Sequence, residues 1–569
     1  MITSRHFELG RYKSKFPYMS ATNVSAELRA EVTQWIEEDP DPQTRSQLIE
    51  WLDQDNGDEL RACFAGFLEF GTAGLRGALG PGPSRMNRAV VSKTAAGLVA
   101  YMRAKGLNSI VIGRDARYGS EDFTRDTAEI MCGAGFTVFV LPRPLPTPVL
   151  AYAVKKLQCG VGVMVTASHN PPQDNGYKVY LGGTVDGIAY NGSQIISPAD
   201  VEISQAIAHS PSLHSIPRQQ GWKVLDEAVI ESYIDMTARL APRPQSLKVV
   251  YTAMHGVGTE VLLKVFAKAG FSAPILVSEQ AEPDPDFPTV AFPNPEEPGA
   301  IDMSLALARE VDADFVIAND PDADRCAGAI NDPKMGWRML RGDEVGALLG
   351  EYLARSAQGK RGFLANSIVS SSILRKIADH YQLPFTETLT GFKYLSKVSN
   401  LLFGYEEALG YSVDATSVND KDGISAALML AQLVADLRIQ GRTVSDLLEE
   451  IWQRYGFHAT RQISVRTSNV AQIDAILAKF RGTKVAEIAG YPVSQFDDLE
   501  HPTGGLPPTN GVRFFLDDGS RSGAIRIIVR PSGTEPKIKC YLEVIATEES
   551  HASKTLDIIE EAIRKFLVA

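Results

Sequence analysis

The chain has 569 residues, of which 44% are hydrophobic and 22% charged, with a formal net charge of −12. That length exceeds what one hydrophobic core supports, so several globular domains are implied. The acidity excludes a surface built for nucleic acid but leaves room for a local cationic pocket that takes a small anion. Cys63, Cys132, Cys159, Cys326 and Cys540 show neither C-x-x-C nor metal-finger spacing and are expected as reduced thiols in a cytoplasm. Met1–Tyr18 is polar, so no signal peptide is expected, and no apolar stretch is long enough to span a membrane.

Residues 1–60 read as a helical leader. From Ser25 to Ile36 apolar residues fall at helical spacing, with Ser25 as the N-cap and the Trp35/Ile36 side for packing.

Residues 61–218 read as a first domain. Phe70-Gly-Thr-Ala-Gly-Leu-Arg-Gly77 surrounds Thr72 and Arg76 with glycines, which lets the backbone approach a neighbour closely beside a fixed cation. This is either a tight turn or an anion contact. Strands over Ser109–Ile112 and Thr137–Leu141 alternate with a helix over Glu121–Ala134, which predicts a mostly parallel sheet covered on both faces. The apolar run Val161–Val165 predicts a buried strand leading into Thr166-Ala-Ser-His-Asn-Pro-Pro-Gln-Asp-Asn-Gly-Tyr-Lys-Val-Tyr180. Pro171 and Pro172 cannot donate backbone hydrogen bonds, so the strand stops and Ser168 sits on a rigid turn. With His169, Asn170 and Lys178 nearby, Ser168 is either an ordinary turn serine or a nucleophile whose proton a neighbour takes.

Residues 219–335 repeat the alternation, with a strand over Leu247–Tyr251, a turn at His255-Gly-Val-Gly258 and a helix over Thr259–Ala269. Val261 occupies the third position of a dinucleotide fingerprint, so the glycines read as a strand-to-helix turn. A strand over Phe315–Ala318 ends in Asn319-Asp-Pro-Asp-Ala-Asp-Arg325. In an extended chain Asp320, Asp322 and Asp324 point to one side, where their mutual repulsion calls for a cation. Oxygen ligands suit a hard divalent ion such as Mg2+; a solvated acidic turn is the alternative. Arg325 in the glycine position and Asn331 in the twelfth exclude an EF-hand.

Residues 336–455 carry a strand over Phe363–Asn366 and a helix over Ser371–His380. Lys393 follows a flexible glycine, and Leu402-Phe-Gly-Tyr-Glu-Glu-Ala-Leu-Gly-Tyr411 sets Glu406 and Glu407 among glycines and aromatics, a composition suited to a sugar. A helix over Gly423–Ile439 leads to residues 456–569. There, strands over Ala524–Val529 and Ile538–Ile545 flank Arg530-Pro-Ser-Gly-Thr-Glu-Pro-Lys537. Arg530, Lys537, the Ser532 and Thr534 hydroxyls and the amides around Gly533 compose either a phosphate cradle or a solvated hairpin tip. A helix over Thr555–Phe566 closes the chain.

In this order, over roughly residues 65 to 545, these motifs resemble the α-D-phosphohexomutase superfamily. The resemblance implies an α/β fold of four domains, three mixed α/β and a C-terminal α+β domain, around a central cleft. It implies phosphate carried on Ser168, with Mg2+ bridging it to Asp320, Asp322 and Asp324, and with Arg76 and Arg325 offsetting charge. Thr72 would face the phosphoserine. Glu406 would take sugar hydroxyls beside Glu407 and Lys393, while Arg530, Ser532, Gly533, Thr534 and Lys537 grip the non-reacting phosphate. Lys178 is the first candidate for proton acceptor, ahead of His169 and Lys393; a lysine in that role needs a lowered pKa.

The activity implied is that of a phosphosugar mutase acting through a sugar bisphosphate that turns end for end. Phosphoglucomutase, with glucose 1,6-bisphosphate or a similar activator, stands first; phosphopentomutase and phosphomannomutase are the alternatives. A phosphatase and a non-catalytic phosphosugar-binding protein are the rivals. Tyr405-Glu-Glu-Ala408 replaces the Gly-Glu-Glu-Ser of many relatives, so Ala408 supplies no hydroxyl. That form resembles the branch containing phosphoglucomutase-2 and phosphopentomutase. The partner implied is a small phosphosugar, with neither nucleic acid nor membrane.

Overall fold

The structure is a computed structural model describing residues 23–71, 74–243, 246–357, 361–467, 470–482, 485–502, 505–517, 519, 524–532 and 537–568. Helices Ala26–Glu38, Pro42–Asp53 and Gly57–Cys63 come first and bury Val32, Leu48 and Leu60 together. Ser25 caps the first, accepting from the Leu28 amide at 3.2 Å, which satisfies one of the amides that a helix start leaves unpaired. Residues 1–22 of the predicted leader lie outside the described residues.

Four α/β domains follow. In the first, the sheet order is Leu75–Ala78, Asp174–Leu181, Val161–Val165, Ser109–Arg114, Thr137–Val140 and Lys223–Val224. Val161, Val163 and Val165 join a core with helices Arg88–Ala104 and Ser120–Gly133. Met164, one residue out of phase, joins a second core with Leu150 of helix Thr147–Lys156. This is the alternation of a strand buried on both faces.

The expectation of a mostly parallel sheet needs correction. Asp174–Leu181 runs antiparallel to both Val161–Val165 and Leu75–Ala78. The connection from Val165 to Asp174 is too short for a parallel crossover, which takes about a dozen residues or more. The same device recurs in every domain: Phe315–Asn319 returns antiparallel as Cys326–Asp332, Leu401–Glu406 as Gly410–Ser412, and Ala524–Pro531 as Lys537–Ala546. The serine, aspartate and glutamate loops, and the join between Ala524–Pro531 and Lys537–Ala546, therefore all connect antiparallel neighbours.

One hydrophobic core runs without a break from helix Thr147–Lys156 through the second and third domains. The fourth domain has its own core, into which helix Glu549–Val568 packs. A small cluster of Ile368, Val369, Leu389, Leu499, Ile528 and Tyr541 joins the third and fourth domains. Among the described residues no helix is long and apolar enough to cross a membrane, and the five cysteines are unpaired.

Candidate active site

Ser168 is buried, with backbone φ of +52°. Its amide donates to Thr166 Oγ1 at 2.9 Å; its Oγ donates to Asp320 Oδ2 at 2.7 Å and lies 3.2 Å from His169 Nδ1. Arg117, just past the strand Ser109–Arg114, gathers the loop from behind. Its Nη2 donates to the Ser168 and Asn170 carbonyls at 2.7 and 2.6 Å, and its Nη1 to those of Pro171 and Asp174 at 2.8 and 3.1 Å. Arg76 Nη1 donates to Asn170 Oδ1 at 3.1 Å. Gly74, before Arg76, serves chain packing: it has φ +91°, and a Cβ there would lie 1.9 Å from the Tyr177 carbonyl. Thr72 lies outside the described residues.

The three aspartates converge, though not by the alternation of an extended chain. Residues 321–323 turn, Ala323 has φ +52°, and its amide donates to the Asp320 carbonyl at 2.8 Å. Proline at 321 cannot continue the strand ladder, so the chain bends. Asp320 Oδ1 accepts from the Arg325 amide at 3.0 Å. Asp322 Oδ2 accepts from Thr147 Oγ1 at 2.6 Å and from Lys178 Nζ at 2.7 Å. Asp324 Oδ2 accepts from Lys178 Nζ and pairs with Lys421 Nζ, both at 2.8 Å. The His255–Gly258 turn packs against this loop: a Cβ on Gly256 would lie 2.3 Å from Pro321 Cα. Close approach between two turns accounts for Gly256 without a nucleotide.

All three carboxylates are fully buried. Burial and the repulsion of Asp322 and Asp324 push Asp320 up to about 8. Burial also acts on the other two, yet Lys178 and Thr147 hold Asp322 below the usual range, and Lys178, Lys421 and Arg325 hold Asp324 well below it. One oxygen from each aspartate lies within 4.8 Å of the others. Asp322 Oδ1 and Asp324 Oδ1 are buried and accept no hydrogen bond. Buried anionic oxygens without donors fit a hard divalent cation.

Lys178 lies opposite Met164 on the returning strand. Burial disfavours its charge, but Asp322 and Asp324 outweigh burial and raise its pKa. That reverses the lowered value a lysine base would need. His169 is held well below its ordinary value by burial and by the charges of Arg325 and Arg76, so its imidazole is neutral.

Across the cleft, Glu406 Oε1 accepts from the Gly391 amide at 2.6 Å. Glu407 Oε2 accepts from the Ser367 and Ser370 hydroxyls at 3.2 and 3.0 Å. Burial raises both carboxyls, and Glu406 adds to the rise of Glu407. Burial pushes Lys393 down to about 8, against the pull of Asp200 and Glu406, and the charge of Arg530 adds to the depression. In the fourth domain Arg530 pairs in register with Lys539, and the Ser532 amide donates to the Lys537 carbonyl at 2.8 Å. Gly533 and Thr534 lie outside the described residues.

Comparison with known proteins adds the lineage. Residues 68–211, 231–334 and 341–455 match "Phosphoglucomutase/phosphomannomutase, alpha/beta/alpha" domains I, II and III, and residues 462–561 match the C-terminal domain of the same set. The chain belongs to the phosphoglucomutase/phosphomannomutase family. It is therefore a phosphomutase, an isomerase that moves a phosphoryl group within one molecule. It is 49% identical to a Haemophilus influenzae protein named "Probable phosphomannomutase", over 85% of this chain and 98% of that one. It is 34% identical to the Mus musculus phosphopentomutase over 96% of each chain. To a Staphylococcus epidermidis phosphoglucomutase it is 34% identical over 84% of this chain and 90% of that one. Among solved structures, the open form of parafusin, a Paramecium phosphoglucomutase, shares the fold with a TM-score of 0.66 at 19% identity, covering 89% of this chain and 94% of that one.

In this phosphomutase four residues at or behind the site escape the sequence reading. Lys539 had a signal: it lies two positions past Lys537, on the same strand face. Its charge is disfavoured by burial and by Arg530, Arg325 and Lys537, against the pull of Glu407. Lys421 stands in Asn419-Asp-Lys-Asp422, ahead of a helix capped by Asp422, where a cation reads as surface. Arg117 and Thr147 act through contacts 51 to 57 and 175 residues away, which no local pattern announces.

Proposed function

We propose that this phosphomutase interconverts glucose 1-phosphate and glucose 6-phosphate through phosphate on Ser168 and a sugar bisphosphate. The observation that carries this reading is Ser168 Oγ hydrogen-bonded to Asp320 inside a buried aspartate cluster, opposite the Glu406, Lys393 and Arg530 wall. Phosphoryl transfer asks mainly for positioning and for positive charge around the moving group. Asp320, Asp322 and Asp324, with Ser168, would hold Mg2+, which when bound supplies positive charge to the phosphoryl oxygens.

The chain's own groups do the rest. In one half-reaction a sugar hydroxyl takes the phosphoryl group from Ser168 Oγ and gives up its proton. In the other, Ser168 Oγ takes a phosphoryl group back from the far end of the turned bisphosphate. His169, neutral and 3.2 Å from Ser168 Oγ, is placed to take and return the serine proton. Lys178, paired with Asp322 and Asp324, takes the sugar's proton when neutral and returns it as an ammonium in the other half-reaction. Arg76 and Arg325 offset charge, and Arg530, Ser532 and Lys537 hold the phosphate that does not react. Glu406 and Glu407 accept from the sugar hydroxyls. Unpaired cysteines fit a reducing cytoplasm.

Mannose and pentose phosphates are the second reading, favoured by relatives named phosphomannomutase and phosphopentomutase. Product formation from glucose, mannose and ribose 1-phosphates, measured side by side with a bisphosphate primer, decides among them. Inorganic phosphate is followed in the same assay. The expected result is an isomer without stoichiometric phosphate release, and a phosphate-sized mass increment on the Ser168 peptide. Phosphate release matching substrate loss, with no isomer, would overturn the mutase reading.

A further inference from the structure

We propose that Arg117 is a positioning residue that sets the posture of Ser168, and that the Asp284–Phe287 segment of the second domain braces it. The part of this that concerns catalysis rests on Ser168 being the phosphoryl carrier; the part that concerns the loop does not.

A guanidinium has four Nη hydrogens, and here four carbonyls meet them: those of Ser168, Asn170, Pro171 and Asp174. The fifth hydrogen, on Nε, finds no acceptor, although Nε forms an ion pair with Asp115 Oδ2 at 3.3 Å. Asp115 Oδ1 is occupied in turn by the Arg117 amide at 3.0 Å and the Ser120 hydroxyl at 2.8 Å. The Arg117 side chain is only 1% exposed. Gathering four carbonyls from seven consecutive residues forces the chain to curl around one point. That curl accommodates the left-handed backbone at Ser168, a conformation a serine seldom adopts unaided. A lysine has three hydrogens on one nitrogen and cannot reproduce the planar fork.

The second domain closes the other side. The Phe287 ring centroid lies 4.9 Å from the Arg117 guanidinium carbon. Next to it the Tyr118 hydroxyl donates to Asp286 Oδ2 at 3.0 Å. The Asp284 amide donates to the His255 carbonyl at 3.0 Å, and the Val257 amide to the Pro321 carbonyl at 2.8 Å. A path therefore runs behind the cleft from the serine loop through Arg117, Phe287 and the 255–257 turn to the aspartate loop. In front, Ser168 Oγ meets Asp320 directly. The two loops are thus tied in front, by Ser168 and Lys178, and also behind, where no reacting group takes part.

Hydrogen–deuterium exchange of the full-length protein tests the brace. Compared are wild type, Arg117→Lys and Phe287→Leu. In Arg117→Lys, amides of residues 166–176 should exchange about tenfold faster or more, with the other domains unchanged. Phe287→Leu keeps every hydrogen bond of Arg117 and should give about a threefold rise in the same segment. In the mutase assay Arg117→Lys should lose about 10²-fold in kcat with KM within about threefold, because the nucleophile and not the grip is misplaced. Guanidinium ion added to Arg117→Ala should restore part of that loss, and ammonium should not. Wild-type exchange of residues 166–176 in a folded Arg117→Lys overturns the proposal. Should Arg117→Lys fail to fold, unchanged exchange in Phe287→Leu does the same. Faster exchange in a protein that never carries phosphate on Ser168 upholds the brace and removes the mutase reading instead.

Discussion

Lys178 holds Asp322 and Asp324 at 2.7 and 2.8 Å in full burial, and the domains that supply these groups share one continuous core. At the other end of the cleft, Arg530 and Ser532 are half-buried on a domain with a core of its own. That domain meets the third through one small apolar cluster and ion pairs such as Arg513–Glu387 at 3.3 Å and Arg526–Glu387 at 3.5 Å. On the proposed mechanism the end built on the shared core is where a phosphoryl group changes hands, and preorganised charge there needs no rearrangement during the reaction. On the same proposal the end with its own core is where a phosphate is held and a turned bisphosphate is gripped again.

If this contrast is right, damage to the two ends should look different. Ser168→Ala should bring turnover to assay background with the fold intact, and Asp322→Asn should lower kcat by about 10²-fold or more, because one charge of a buried cluster is lost. Turnover of Asp322→Asn near wild type, in steady-state assays with Mg2+ in excess, would break the comparison at its strong end. Arg530→Ala removes a contact made in ground and transition states alike. Its effect should be about tenfold and should fall mainly on KM. A loss confined to kcat would show that the cradle does more than hold.

The contrast also shows in what the sequence made legible. The segments carrying Ser168, the aspartates, Glu406 and Arg530 were readable because short runs of polar residues interrupt apolar strands. Direction was not: Val161–Val165 looks the same whether its neighbour returns or crosses over, so the antiparallel pairings appear only in the fold. Alternation singles out the aspartates in the sequence, yet a turn at Pro321–Ala323, and not an extended chain, brings them together. Lys178 was visible as a cation near the serine, but its pKa depends on Asp322 and Asp324, more than 140 residues away. Charge states of buried groups are set by distant partners, and spacing within one segment carries no record of them.

A smaller effect sharpens the grip end. Burial lowers Lys393 from the ordinary 10.5 to about 8. Below that pH the ammonium is present and attracts a sugar phosphate; as pH rises through it the charge is lost. KM should therefore climb about threefold between pH 7 and 9, as one charge contact to the substrate is removed. Lys393→Met should start at the higher KM and stay flat across the range. A wild-type KM that does not move, with kcat titrating in its place, would assign Lys393 to the chemistry.

The positive φ of Ser168 bears on which amino acid can occupy this position at all. A threonine offers the same hydroxyl, but a β-branched side chain is a severe outlier at φ +52°. Ser168→Thr should fail as an enzyme despite its unaltered chemistry. Two variants that both lack the hydroxyl isolate the backbone contribution. Ser168→Gly should be more stable than Ser168→Ala by about 1 kcal/mol in urea unfolding, the reverse of the order expected at a right-handed position. Equal stability would mean that the backbone at this residue relaxes in the free protein. Stability alone would favour glycine here, and on the proposed mechanism the hydroxyl oxygen is what that stability is given up for.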